Sequence, residues 1–155
     1  MEIRMAEEWN IPDLIRLLQQ VGQVHHVIRP DIFRDGAQKY NEADLKALLA
    51  DPQYSISVAL EGETVLGYCF SIHRAYQGNP VLTDRRELYI DDICVDEACR
   101  GQGVATKLYE DTLRRAKDAG YDFVTLNVWN GNDGAMYFYE KMGMTPRNIT
   151  METKL

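Results

Sequence analysis

Positive charge is in short supply in this chain: 17 lysines and arginines stand against 24 acidic residues, a formal net charge of -7. Broad nucleic-acid binding needs a basic face that displaces counterions. The balance argues against such a partner and leaves room for a cationic one. No apolar run approaches the roughly 18 to 20 residues that cross a bilayer, so no membrane association is expected. The opening residues, MEIRMAEEW, carry acids where a secretory leader has a basic and then an apolar stretch, and the expected compartment is the cytoplasm. Cysteine is scarce as well. Cys69, Cys94 and Cys99 are odd in number, lack the paired spacing of a zinc site, and the first two fall in strand-like runs, so buried free thiols are expected. Neither His25-His26 nor the lone His73 has metal-site spacing, and no metal is expected. What remains, 45% hydrophobic and 26% charged residues over 155 positions, suits one domain spanning 1–155 around one core.

Periodicity divides that domain into alternating elements. EIRMA at residues 2–6 reads as a short strand, and Ile11, Leu14, Ile15, Leu18 and Val21 follow at helical spacing, with Asn10 as N-cap and Pro12 in the first turn. Residues 22–40 read as irregular, a length that in a compact domain often marks function. Asn41 caps a short helix, EADLKALLA, stopped by Asp51-Pro52. YSISVAL and TVLGYCFSIHR flank Glu61-Gly62-Glu63 as an antiparallel hairpin. A polar loop at residues 75–86 leads to the strand ELYIDDICV; a helix then uses Val104, Leu108, Thr112 and Ala116 and ends at Gly120. DFVTLNVW is a strand, GAMYFYEKM a helix closed by Gly143, and NITMETKL a last strand. The expected fold class is α/β, a mixed sheet flanked by helices. Its β-α-β unit, residues 87–129, is expected parallel, with ligands favoured at the carboxyl ends of its strands.

At one such end stands CRGQGVA, residues 99–105. A helix N-terminus offers backbone N–H groups without helical partners and about half a positive charge. Glycines let that backbone bend with φ above zero and let an anion approach without meeting a Cβ. Arg100 adds a charged donor. A plain tight turn is the competing reading of the same residues. The P-loop and dinucleotide fingerprints both fail, the first for want of Gly-Lys-Ser/Thr, the second because Thr106 stands where a third small residue is needed.

The pattern Arg-x-x-Gly-x-Ala from Arg100 to Ala105 resembles the acetyl-CoA signature of the GNAT superfamily of N-acetyltransferases, Gln/Arg-x-x-Gly-x-Gly/Ala. It comes with context: ICV ends the strand upstream, and NDGAMYFYEKMG downstream is similar to the family's Asn-x-x-Ala followed by Phe-Tyr-Glu-Lys-x-Gly. The resemblance implies a GNAT-like fold with a splayed sheet and a coenzyme A pyrophosphate on Arg100, Gly101, Gln102, Gly103, Val104, Ala105 and Thr106. It also implies a pantetheine arm bonded to the backbone of Ile93, Cys94 and Val95 in the manner of an added strand, and a contact from Asn132. Gly143-Met144 replaces the family's common Gly-Phe, a difference of packing.

Acetyl transfer to an amine requires the amine to be neutral, and an alkyl ammonium with a pKa near 10.4 is neutral only about one part in a thousand at pH 7. A group must take a proton from nitrogen and another must give one to sulfur. The resemblance assigns Tyr139 as the acid, although Tyr137, Phe138 and Tyr139 share a short helix and at least one of them must pack into the core. Asp91 and Asp92 are the candidates for the base; family members with Glu-Asp here place the usual Glu at Asp91, where the shorter side chain leaves a water relay or simple attraction of a cation as alternatives. On a regular strand the two carboxylates point to opposite faces. Cys94 and Cys99 have no base at motif spacing, so direct transfer is expected. A non-catalytic acyl-CoA-binding module is the alternative function, against which Tyr139 and Asn132 count. The acceptor stays open among small amines, polyamines, aminoglycoside-like compounds and protein N-termini, and homodimerisation is an expectation carried by the resemblance alone.

Overall fold

In the computed structural model, which describes residues 1–155, the strand-patterned segments form one five-stranded sheet whose spatial order follows the chain. Strands β1 (Glu2–Met5), β2 (Tyr54–Glu61), β3 (Thr64–Tyr76) and β4 (Arg85–Val95) pair antiparallel; β5 (Phe123–Leu126) joins β4 in parallel, as the β-α-β reading requires. Helices α1 (Ile11–Ile28) and α2 (Glu42–Ala50) cover one face, α3 (Val104–Asp118) and α4 (Asp133–Lys141) the other. The middle strands are buried on both faces, which is why they read as near-continuous apolar runs rather than alternating ones.

Two apolar clusters hold the layers together. Leu14, Leu17 and Leu18 of α1 and Leu45 of α2 pack on Ile56, Val58, Tyr68 and Phe70. Across the sheet, Val104 and Leu108 pack on Ala59, Cys69 and Ile90, and all four positions of the expected α3 face are buried. That helix ends as its sequence predicts: Gly120 adopts φ 71°, its N–H donates to the Lys117 carbonyl, and the Tyr121 N–H donates to the Ala116 carbonyl.

Five expectations need correction. First, α1 does not stop near residue 21 but runs to Ile28; Val24 and Ile28 prolong its apolar stripe, and Gly22 sits inside it at the modest cost of a helical glycine. Second, Asn10 does not cap α1 with its side chain; it is fully buried in a preceding 3-10 turn, where its Oδ1 accepts the Glu7 N–H at 3.0 Å. Third, only the first part of DFVTLNVW pairs as a strand. Fourth, NITMETKL forms no strand. It finds no ladder edge in register, and its segment is tied down by charge instead, Arg147 to Glu87 at 2.8 Å and Arg29 to Glu152 at 2.5 Å. Fifth, the loop before β4 is shorter than expected because both flanking strands extend, to Tyr76 and from Arg85.

Where β3 passes β4 beside α3, only glycine fits. Gly67 lies opposite Val95, and a Cβ there would stand 2.6 Å from the Cys94 carbonyl oxygen and 3.2 Å from a Val104 methyl. Gly67→Ala is expected to push the two strands apart and lower stability by about 1–3 kcal/mol, read as a lower urea midpoint at unchanged slope. An unmoved midpoint would mean that the backbones part freely at this point.

Candidate active site

The site begins where two parallel strands separate. β4 and β5 pair only from Glu87↔Phe123 to Ile90↔Leu126; beyond that, Asp92–Val95 stays paired with β3 and faces no strand on its other side. An open strand edge is a row of backbone donors and acceptors ready for an extended ligand. Ile93 and Val95 pack toward α3, while Cys94 turns into the α1 cluster, where its Sγ–H donates to the Leu17 carbonyl at 3.4 Å. Burial first, then the charge of Asp92, pushes that thiol up to about 12, so it is not a nucleophile at neutral pH.

The chain leaves β4 into the glycine segment under the control of α1. Arg16 is ion-paired with Asp96 and donates to the Val65 carbonyl at 3.3 Å; Asp96 also accepts the Ala98 N–H at 3.1 Å, and Gln20 accepts the Glu97 N–H at 3.1 Å. Past this clamp, Gly101 and Gly103 adopt φ 76° and 79°, and a Cβ on either would meet nothing within 4 Å. From Gly101 to Thr106 no backbone N–H finds a backbone acceptor; the first helical bond of α3 is donated by Lys107 to the Gly103 carbonyl. The glycines are therefore required by conformation and leave space over a run of free donors. That is more than a plain turn needs. A cleft of about 390 Å³ adjoins the segment, lined by Gln20, Val24, Val27, Ile28 and Arg100.

The two carboxylates do not point to opposite faces. β4 carries a bulge between the pairs Phe70↔Asp92 and Ser71↔Ile90, which leaves Asp91 as the extra residue and resets the alternation. Both side chains consequently come under one cation: Lys39 Nζ donates to Asp91 Oδ2 at 2.6 Å, and its charge also acts on Asp92. Asp92 Oδ2 accepts the Tyr68 hydroxyl at 2.7 Å. Burial raises the Asp92 carboxyl to about 6; the Tyr68 hydrogen bond and Lys39 pull down against it and Asp91 pushes up. A carboxyl with that value is ionised at neutral pH and ready to take a proton.

Tyr139 faces the same region from α4. Its ring meets Tyr109 at 6.1 Å and Phe138 at 5.1 Å, and its hydroxyl has no protein partner. Burial, with Cys69 and Asp92 adding, holds that hydroxyl above the ordinary tyrosine range and so protonated. Asn132 is the N-cap of α4: its Oδ1 accepts the Ala135 N–H at 3.2 Å, which fixes the side chain and leaves Nδ2 free to donate. Between α1 and the segment after β5, Phe33 lies 5.0 Å from His25, tilted by 32°, and meets Trp129 edge-on at 5.0 Å.

Sequence reading missed three of these residues. Lys39 lies in a connection with no decodable pattern, Tyr68 reads only as one more apolar strand position, and Arg16 lies on the polar side of an amphipathic helix. None carries a local signal, since each acts on a residue distant in the chain.

Comparison with known proteins bears on the whole arrangement. A family model described as "Acetyltransferase (GNAT) family" matches residues 19–144. The chain is 34% identical over 74 residues to the uncharacterized N-acetyltransferase YdgE of Bacillus subtilis (strain 168), a match covering 48% of this chain and 47% of that protein, so it spans about half the length of that relative. It is 25% identical over 148 residues to thialysine N-epsilon-acetyltransferase of Bos taurus, covering 91% of this chain and 82% of that one. A crystal structure of a mutant BH1408 protein from Bacillus halodurans superposes with a TM-score of 0.96 at 30% identity, over 100% of this chain and 99% of that one.

Proposed function

The chain belongs to the GNAT acetyltransferase family, and from that membership we propose that it transfers the acetyl group of acetyl-CoA to a primary alkylamine, with Asp92 receiving a proton from nitrogen and Tyr139 giving one to sulfur. The observation that carries this reading is the convergence at one splay of an open strand edge, a run of free N–H groups, an ionised carboxylate and a protonated phenol.

The residues present fit the cosubstrate. The N–H groups from Gly101 to Thr106, with Arg100 beside them, suit a pyrophosphate, and the open edge at Ile93, Cys94 and Val95 suits the amides of a pantetheine arm. Asn132 Nδ2 is free to donate to that arm. When bound, acetyl-CoA supplies a thioester carbon open to attack by a neutral amine. Open N–H groups of β4 near Ile93 to Val95 are placed to stabilise negative charge on the carbonyl oxygen. Asp91 and Asp92 together attract the acceptor ammonium, and Asp92, whose carboxyl is raised by burial, takes a proton from it, directly or through water. Burial keeps the Tyr139 hydroxyl protonated, so it has a proton to give to a sulfur leaving beside it. With the Cys94 thiol near 12 and the Cys69 thiol near 11, transfer is direct rather than through an acetylated cysteine.

An alkylamine acceptor is favoured by the paired carboxylates and by the Tyr40 ring beside them, which together suit an ammonium. The relative named for the ε-amine of thialysine points the same way. A panel of alkylamines, aminoglycosides and peptides, read by thiol release from acetyl-CoA, tests the reaction. Tyr139→Phe is expected to lower turnover at least about tenfold with acetyl-CoA affinity nearly intact; unchanged turnover would remove Tyr139 from the chemistry.

A further inference from the structure

One amine is already seated where the acceptor must dock. Lys39 Nζ lies 2.6 Å from Asp91 Oδ2 and 5.2 Å from the centroid of the Tyr40 ring. It is the one cation hydrogen-bonded to either carboxylate, since Asp92 bonds to Tyr68. The other lysine ion pair is local, Lys46 with Glu42 on the same helix. Lys39 instead crosses from the α1–α2 connection to the bulge of β4, at a separation of 52 residues. The connection holds it loosely: Gly36 has φ 61°, residues 34–38 are exposed, and no backbone N–H from Arg34 to Tyr40 bonds to another backbone group. A segment with exposed, unpaired backbone of this kind is drawn from the low-stability end of a fold, which leaves its tip free to move.

We propose that Lys39 is an internal acceptor, acetylated on Nζ by its own site when acetyl-CoA is bound and no free amine competes. The step rests on the acetyl transfer proposed above. The Lys39 nitrogen forms a bond to the thioester carbon as the carbon–sulfur bond breaks. The Lys39 ammonium first gives one proton to Asp92; the second proton, shed by nitrogen as the amide forms, replaces the one that Tyr139 gives to the sulfur, which leaves as the free thiol. Tethering replaces a bimolecular encounter by an intramolecular one, which favours Lys39 over any dilute amine. The product is neutral, so it releases Asp91 from its ion pair and leaves the acidic subsite to a cationic acceptor.

The full chain, incubated with acetyl-CoA alone and digested, gives the test by peptide mass spectrometry. Lys39 is expected to gain one acetyl group at least about ten times faster than Lys46, Lys107 or Lys117, at a rate independent of protein concentration. Asp92→Asn should abolish the gain, and Lys39→Arg should leave no fast site. If Lys39 is modified no faster than the other lysines, or at a rate proportional to protein concentration, while a free alkylamine is acetylated with thiol release, the internal acceptor is overturned and the parent reading stands. If neither Lys39 nor any free amine is acetylated, both fall.

Discussion

Asp92→Asn is expected to lower kcat/KM for amine acceptors by about 100-fold or more and, in the same protein, to raise stability at neutral pH. The two effects share one cause. Burial raises the folded-state carboxyl to about 6 from an ordinary value of 3.8, with the Tyr68 hydrogen bond and Lys39 working against that rise and Asp91 adding to it. The folded chain thus holds this proton more tightly than the unfolded chain does. The resulting stabilisation is complete below about pH 4 and is lost as pH climbs through about 6. Above that, the ionised carboxylate costs the fold on the order of 2–3 kcal/mol. Asparagine carries no charge and still offers an oxygen to the Tyr68 hydroxyl, so urea unfolding should show the variant more stable than wild type at pH 7, with the gap closing toward pH 4. Wild-type kcat/KM should fall on the acid side of about pH 6 as Asp92 takes up a proton, the limb expected of a base with this value. A variant that is less stable at pH 7 yet still turns over would show that Asp92 serves the fold as a hydrogen-bond acceptor and does no chemistry.

The proposed base could not be singled out from the sequence, for a reason visible in the sheet. Asp91 and Asp92 are adjacent and chemically alike, and alternation predicts opposite faces. The bulge overturns it, and a bulge is a property of the register between β3 and β4 that no residue near Asp91 announces. Lys39 was hidden in the same way, since its partner lies across a connection whose composition says only that it is polar. By contrast, the face of α3, the β2–β3 hairpin, the αL glycines and the Gly120 cap are local and were legible, because helical spacing, a two-residue turn and positive φ each leave a mark within a few positions. The C-terminal segment shows the limit of pattern. NITMETKL alternates like a strand, but alternation describes a side-chain preference and cannot supply the neighbouring edge that makes a ladder.

Gly103→Asp is expected to weaken acetyl-CoA binding by about 100-fold or more while leaving the fold within about 1 kcal/mol of wild type. Gly103 is the N-cap of α3 at φ 79°, so any side chain there adopts a left-handed conformation that costs about 1–2 kcal/mol. An acidic residue recovers part of this, because negative charge is favourable at a helix N-terminus. Binding has no such offset. The N–H groups from Gly101 to Thr106 have no backbone acceptor, and a carboxylate set among them competes for those donors and repels the pyrophosphate they are proposed to hold. Gly103→Asn separates the two effects, since asparagine tolerates the same φ without the charge; it should lose less than about tenfold in affinity. Added salt should narrow the difference between the two variants, because the segment is exposed and its charges are screened over about 10 Å at ordinary ionic strength. Titration calorimetry with acetyl-CoA across a salt series decides it. An aspartate variant that binds as wild type does would move the pyrophosphate off this helix, and with it the alignment of the pantetheine arm toward Asp92 and Tyr139.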